Sequence, residues 1–326
     1  MNKYIYNIKL YYLYIQMKIK KLKVYNDNPD SGVDNTYPTS KDTFKQPCLQ
    51  MIVGQRTAGK SYLCSKIISQ YQKEKTFDIL YMVSPSFNSN KSYFGKYIKE
   101  ENVFEPTKEA ITQVIERVEK DRDEWEVYLE KMELYKDYLR LSKNKRPLTE
   151  LEPELLLMFD ELGFMDKEKP KWKYEKSNGG KITPPRSLLI LDDCLGAPAL
   201  LQSGGLTRIA TLNRHVAPLT EDYDNRTACG LAVIILSQTY KMRDGISRVL
   251  RENLSLLTIF KNKQEKQVEA IKEELANVVD VELFDKAYEY ATREKYGSLT
   301  VDFTPKDPTK TFRKNLNEVI IFDEIK

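Results

Sequence analysis

Cys48-Leu-Gln-Met-Ile-Val-Gly-Gln-Arg-Thr-Ala-Gly-Lys-Ser-Tyr-Leu63 is the stretch from which the rest of the chain can be read. It opens on an apolar run, Cys48 to Val53, long enough for a buried strand and ended by Gly54. Gly54 to Ser61 then matches G-x-x-x-x-G-K-[ST], and from Lys60 to Gln72 the residues Leu63, Ile67, Ile68 and Tyr71 share one helical face. Strand, glycine-bounded turn and helix at this spacing make a loop that cradles phosphates. Glycines let the turn fold back so that successive backbone N–H groups aim at phosphate oxygens, and the helix adds the positive end of its dipole. Gly54, Gln55, Arg56, Thr57, Ala58 and Gly59 supply the cradle, which Tyr62 continues on the helix. Lys60 reaches the β- and γ-phosphates, and the Ser61 hydroxyl ligates Mg²⁺. The ligands expected are ATP and Mg²⁺.

Working outward, Phe77 to Val83 is the next strand, closed by Ser84-Pro85, and strand, helix, strand here is a βαβ unit with parallel pairing. Ser187 to Asp193, Leu231 to Ser237 and Leu254 to Phe260 are continuous apolar runs of the kind found in central parallel strands. Gly297 to Phe303 alternates more. The fold class expected is α/β, a mainly parallel central sheet flanked by helices. Residues 107–186 read as an insertion between core strands. A charged helix from Thr107 to about Ser142 places Ile111, Val118, Trp125, Met132 and Leu139 seven apart, with Asp121 breaking a companion series. At 1.5 Å per residue it would run about 54 Å. An amphipathic helix or helical hairpin packed on the domain is favoured over an intermolecular coiled coil. Asn144 to Pro185, with five prolines and Gly179-Gly180, reads as irregular.

The 326 residues hold 52 Lys+Arg against 48 Asp+Glu, a formal charge of +4, and 41% are hydrophobic. That suffices for a core and excludes wholesale disorder or a membrane-spanning bundle. Cys48, Cys64, Cys194 and Cys229 are too scattered for a disulfide framework or a Cys-rich zinc site, and a single histidine, His215, excludes a multi-His metal centre. A reducing compartment follows as the default. Six lysines and no acid fall in residues 1–24, which leaves the body nearly neutral, so any nucleic-acid contact needs a local basic surface. Residues 1–16 hold five tyrosines and admit three readings: a mis-called start upstream of Met17, a basic arm, or a surface or membrane anchor. Asn26 to Lys45 is polar and reads as a linker. The expected division is therefore an arm and linker over 1–45 and one ATPase domain over 46–326.

Downstream of the loop, the strand Ser187 to Asp193 ends in two acids. Asp192 is expected to hold the Mg²⁺, and Asp193 sits where a carboxylate can polarise the attacking water. Gln238, after the strand Leu231 to Ser237, is placed to hydrogen-bond that water or the γ-phosphate. A cation supplied by a neighbouring subunit would stabilise the transferring phosphoryl group. Arg214 and Arg251 are the candidates, with Arg226, Arg208 and Arg248 behind them. His215 reads as a structural hydrogen-bonder.

The order of these elements resembles the FtsK–HerA branch of P-loop motor ATPases, and more narrowly the genome-packaging ATPases of poxviruses, other large DNA viruses, virophages and polinton-like elements. The residues that carry it are Gly54 to Ser61, Val83-Ser84-Pro85, Asp192-Asp193, Arg214-His215, Gln238-Thr239-Tyr240, Arg251-x-Asn253, Phe303 to Asp307 and Phe312-Arg313. The resemblance implies a RecA-like (ASCE) P-loop core and phosphate binding by Lys60 and Ser61. It also implies metal at Asp192, water activation by Asp193, γ-phosphate sensing by Gln238 and an arginine donated in trans, which favours Arg214. The stretch Val216 to Gly230 between Arg-His and the Gln strand is longer than expected, which keeps Arg226 in view.

The function this implies is ATP-driven translocation of double-stranded DNA into a preformed capsid by a homo-oligomeric ring, a pentamer or hexamer, in the host cytoplasm or virus factory. A capsid vertex protein is the expected partner, and no membrane is required. Lys241, Arg243, Arg248 and Arg251, or the cluster Lys143 to Arg146, would grip DNA phosphates. A helicase, a conjugation-type DNA pump, and a slow nucleotide-gated switch or scaffold are the alternatives.

Overall fold

The computed structural model describes residues 16–21, 37–143, 153–166, 168–176, 179–223, 226–242 and 245–323. In chain order the elements are β1 (Gln16–Lys21), β2 (Leu49–Val53), α1 (Lys60–Lys73), β3 (Ile79–Val83), α2 (Phe87–Phe94), β4 (Val103–Phe104), α3 (Ala110–Lys143) and α4 (Pro153–Glu161). There follow β5 (Ser187–Asp192), α5 (Pro198–Leu201), α6 (Gly204–Leu212), β6 (Pro218–Tyr223), β7 (Arg226–Ala228), β8 (Leu231–Ser237), α7 (Arg248–Glu252) and β9 (Leu256–Phe260). Last come α8 (Glu265–Leu275), α9 (Val281–Thr292), β10 (Ser298–Asp302), β11 (Phe312–Lys314) and β12 (Glu318–Asp323).

Among the described residues ten strands form one sheet in the order β1-β12-β11-β10-β9-β2-β8-β5-β3-β4. The six from β9 to β4 are parallel, and the four from β10 to β1 join antiparallel. Both faces of the parallel part are covered, which is why its strands are apolar throughout. Leu188 and Ile190 of β5 face one core with α1, whereas Leu189 and Leu191 face the other with the start of α3. The same alternation runs along β8, with Val233 and Ile235 on one side and Ala232 and Ile234 on the other.

Asp78 and Arg186 lock the chain where it re-enters the sheet after the insertion. The Arg186 guanidinium donates to both carboxylate oxygens of Asp78 at 3.0 Å, and its backbone N–H donates to Oδ2, with both side chains buried. Such a pair fixes the β3–β5 register more than it adds stability, since removing either partner strands a buried charge.

The insertion packs on its own domain. Ile111, Val114 and Val118 of α3 enter the main core, and the second half of α3 builds satellite clusters, Trp125–Tyr128–Trp172 and Tyr138–Phe159–Phe164. Asp121, the residue that interrupts the apolar series, is buried and accepts hydrogen bonds from Lys173 Nζ and from Tyr174 OH at 2.8 Å, tying the return leg to the helix. The region read as irregular contains α4. Pro153 stands in its first turn, where the missing N–H costs nothing, so that proline starts a helix rather than breaking one.

The domain also begins before residue 46. Tyr37, Thr39, Ser40, Asp42 and Phe44 are buried, and the supposed linker is held by long-range bonds: Tyr37 OH to Cys229 O at 2.9 Å, and Ser40 N to Glu74 Oε2 at 3.0 Å. Residues 16–21 form the outer strand β1 against β12, while residues 1–15 and 22–36 of the expected arm lie outside the described residues. Among the described residues no helix is long and apolar enough to cross a membrane, and no disulfide joins the four cysteines.

Candidate active site

All six parallel strands end at the same edge of the sheet, and the chemistry-bearing residues gather there. β2 delivers Gly54 to Ser61, β5 delivers Asp192 and Asp193, and β8, which lies between these two strands, delivers Gln238. Open α/β sheets bind ligands at this edge because the loops and helix N-termini converge on it.

The loop is shaped as the sequence requires. Gly54 N donates to Ser237 O at 3.0 Å, pinning the loop to β8. A Cβ at Gly54 would stand 3.0 Å from Phe260 and 3.1 Å from Ala58 Cβ, so no side chain fits without displacement. Gly59 caps α1 at φ 107°, a backbone region open to glycine, and Thr57 also adopts positive φ at 64°. The first turn of α1 carries no acid, and its leading N–H groups have no partners within the helix, so its dipole faces the cleft uncompensated. Lys60 Nζ donates to Gly54 O at 2.7 Å and Gln55 O at 3.2 Å, which holds the ammonium inside the turn. Gln55 Nε2 in turn donates to Asn262 Oδ1 at 3.2 Å.

Across a cleft of about 1360 Å³ stand Asp192, Asp193 and Gln238. Asp192 is buried, and burial pushes its carboxyl up to about 6; a hydrogen bond from Asn90 opposes this, the Asp193 charge adds to it and the Lys60 charge opposes it. Asn90 Nδ2 reaches Asp192 Oδ2 at 2.9 Å. Asp193 is exposed, in left-handed backbone at φ 55°, and accepts from Gln238 Nε2 at 3.1 Å. Burial pushes the Lys60 ammonium below its ordinary value, and the charges of Asp192 and Asp193 pull it back.

A magnesium–triphosphate complex fits this donor set. Among the described residues no three His, Cys, Asp or Glu side chains converge to hold a metal alone. One buried carboxylate, the Ser61 hydroxyl and the oxygens of a phosphate tail make the sparse hard-oxygen set that Mg²⁺ takes. The glycine cradle and the uncompensated helix end suit the tail itself.

The arginines lie elsewhere. Arg214 is exposed in a short turn at the opposite edge, where Asn213 Nδ2 donates to Leu231 O at 3.3 Å at the start of β8. Arg251 is buried, and its guanidinium forks onto Glu274 at 2.9 Å and 2.9 Å, with a third bond to Ile246 O. Arg248 pairs with Glu252 and Arg208 with Glu119. Arg226 opens β7. The long stretch before β8 is the β6–β7 hairpin, which docks on α3 through Arg122 Nη1 to Pro218 O at 2.7 Å and Thr220 N to Glu126 Oε1 at 2.8 Å. His215 is exposed beside Arg214.

Among the described residues expected to line DNA, Arg251 alone is buried. Lys241, 3.8 Å from the Glu274 that Arg251 already holds, and Arg248, paired with Glu252, keep exposed side chains. Arg243 and residues 144–146 lie outside the described residues. Sequence reasoning missed Asn90, whose place on α2 follows no motif, and Phe260, which backs both loop glycines.

No protein-family model matches the chain, and no curated protein matches it. Among solved structures it is similar to the genome packaging NTPase B204 of Sulfolobus turreted icosahedral virus 2 in complex with sulfate, at 14% identity, over 82% of this chain and 95% of that one, with TM-score 0.40. It is similar also to the pCW3 conjugation coupling protein TcpA, at 13% identity, over 91% and 70% of the two chains, with TM-score 0.42. EssC (ATPases 2 and 3) of Geobacillus thermodenitrificans matches at 13% identity, over 93% of this chain and 47% of that one, with TM-score 0.38. These are FtsK–HerA-type P-loop ATPases, the class that the motif order resembles.

Proposed function

We propose that this chain is a Mg²⁺-dependent ATP hydrolase with a RecA-like core, and that it drives double-stranded DNA into a viral capsid as one subunit of a five- or six-membered ring. The observation that carries the hydrolase reading is the link from Gln238 to Asp193, made across the cleft from Lys60 by a strand interposed between the loop strand and the acid strand. A module that only bound nucleotide would have no use for an exposed carboxylate aimed and tethered at that point.

In this reading Lys60 and the amides of residues 56–62 bind the phosphate tail. Ser61 and Asp192 hold Mg²⁺, which neutralises charge on the β- and γ-phosphates when bound. Asp193 accepts the proton of the attacking water, and Gln238 keeps that carboxylate turned toward the γ-phosphate. Asn90, on the cleft wall, keeps Asp192 aligned. Arg214, at the far edge of its own sheet, meets the site of the next subunit. The packaging task, the capsid vertex partner, and a place in the host cytoplasm or virus factory rest on the motif order that runs from Arg214-His215 through Gln238 to Arg251-x-Asn253.

The test is ATP hydrolysis by purified protein with and without duplex DNA, beside the Lys60→Ala variant. Stimulation by blunt duplex, loss in the variant and no unwinding of a forked substrate support the proposal. A rate indifferent to both DNA and the substitution would overturn it, and efficient strand displacement would move the reading to a helicase.

A further inference from the structure

The cleft runs on past the phosphate loop, away from the acid pair, and there its wall comes from the last third of the chain. Tyr296, the residue before Gly297 at the entrance to β10, stands against the loop. A Cβ built on Gly59 would lie 3.6 Å from its ring and 3.5 Å from that of Phe260. Tyr296 is 58% exposed and adopts φ 68°, in the left-handed region that bulky L-residues avoid. The next residue must be glycine, because a Cβ on Gly297 would strike Ala291 O at 2.3 Å, so the turn that carries Tyr296 is packed tightly on the end of α9. A large aromatic held in unfavourable backbone and left open to a cleft needs a reason, and strain of this kind gathers at ligand sites.

Resting on the nucleotide reading above, we propose that Tyr296 is the platform on which the nucleobase stacks. The phosphate tail is bounded by residues 54–62, so the nucleoside leaves the loop beside Gly59 and Tyr62, where the Tyr296 ring waits. The Lys295 ammonium lies over that ring, 4.9 Å from its centroid, and Tyr296 stays 58% exposed to the cleft. Of the amides on this wall, Asn315 turns its Oδ1 away to accept from Ser298 N at 3.1 Å and from Ser298 Oγ at 3.3 Å. Glu294 is paired with Lys314 at 3.0 Å. Stacking on Tyr296 reads the base by its π-face. Such a site prefers purines to pyrimidines and separates adenine from guanine weakly.

The test is equilibrium binding of ATP, GTP, CTP and ribose 5′-triphosphate, each with Mg²⁺, to the wild type, Tyr296→Ala and Tyr296→Phe. Wild type should bind ATP and GTP alike, CTP more weakly and ribose 5′-triphosphate most weakly. Tyr296→Ala should lose about tenfold for ATP and GTP, the size of one base–aromatic stack, and nothing for ribose 5′-triphosphate. Tyr296→Phe should restore the purine affinity. Unchanged ATP binding in Tyr296→Ala, or an equal loss for ribose 5′-triphosphate, would overturn the assignment while leaving the phosphate site intact. Failure of the wild type to bind any of the four overturns the nucleotide reading and this inference with it.

Discussion

Gln238 donates from Nε2 to Asp193 Oδ1 at 3.1 Å, joining the end of β8 to the residue that follows β5. The two strands are hydrogen-bonded neighbours, with Asp192 opposite Leu236, so the sheet itself sets this contact. If Gln238 acts by aiming the Asp193 carboxylate, the two residues form a unit. Gln238→Ala should lower kcat roughly a hundredfold with little change in KM, and Asp193→Asn roughly a hundredfold or more. The double variant should be no worse than Asp193→Asn alone. Multiplicative losses, measured in steady-state hydrolysis, would show that the two act separately.

Asp192 shows what the site costs the fold. Burial pushes its carboxyl from 3.8 to about 6, with the Asn90 hydrogen bond and Lys60 pulling the other way. A carboxyl whose pKa is raised on folding contributes stability below its unfolded value and loses it as pH rises through the folded one. At pH 7.5 the metal-free protein therefore bears about 3 kcal/mol against folding. Asp192→Asn should raise Tm in chelator at pH 7.5, the gain shrinking toward nothing below the unfolded value of 3.8, at about pH 3, while Mg²⁺-dependent hydrolysis is lost. Thermal melts at the two pH values check it, and equal Tm at pH 7.5 would refute it.

The core strands are legible because each is an apolar run with both faces buried: β2, β3, β5, β8 and β9 all lie within the stretches read as strands, and β10 follows from its alternation. The loop is legible because phosphate geometry demands its glycines and lysine in a fixed pattern. Residues 37–45 are not, because their burial rests on hydrogen bonds to distant partners such as Glu74 and Cys229, which a polar composition conceals. Neither Asn90 nor Tyr296 is legible, for each has its neighbour at the site far along the chain: 102 residues separate Asn90 from Asp192. The apolar face of α3 is legible from its spacing, but the burial of Asp121 is not, because it depends on Lys173, Tyr174 and Tyr81 meeting it there.

Arg251 and Glu274 join α7 to α8 by a forked pair over the Tyr240 ring, with the arginine side chain 6% exposed. Arg251→Ala leaves Glu274 facing a partly buried gap and should cost about 3 kcal/mol, the lower end for a broken buried pair because Glu274 is partly solvated. Glu274→Ala should cost a similar amount, and the double variant less than the sum of both. Denaturant melts decide the matter: a fall in kcat at unchanged stability would instead mark Arg251 as a group that meets the phosphoryl oxygens.

Arg214 and Gln238 sit at opposite ends of β8, whose seven residues span about 20 Å. The arginine therefore cannot serve the site of its own subunit, and a head-to-tail ring would bring it to the next one. Arg214→Ala should lower kcat roughly a thousandfold, as removal of an arginine finger does, with Tm unchanged because the side chain is exposed. Asp193→Asn subunits should be equally idle while retaining Arg214. Co-assembled at equal amounts, the two variants complement each other wherever an Arg214→Ala site faces an Asp193→Asn neighbour. Random placement makes this about a quarter of the interfaces, and the mixture should regain roughly that share of wild-type activity. Mixed rings no more active than either parent would remove Arg214 from the reaction and return the search to Arg226 on β7.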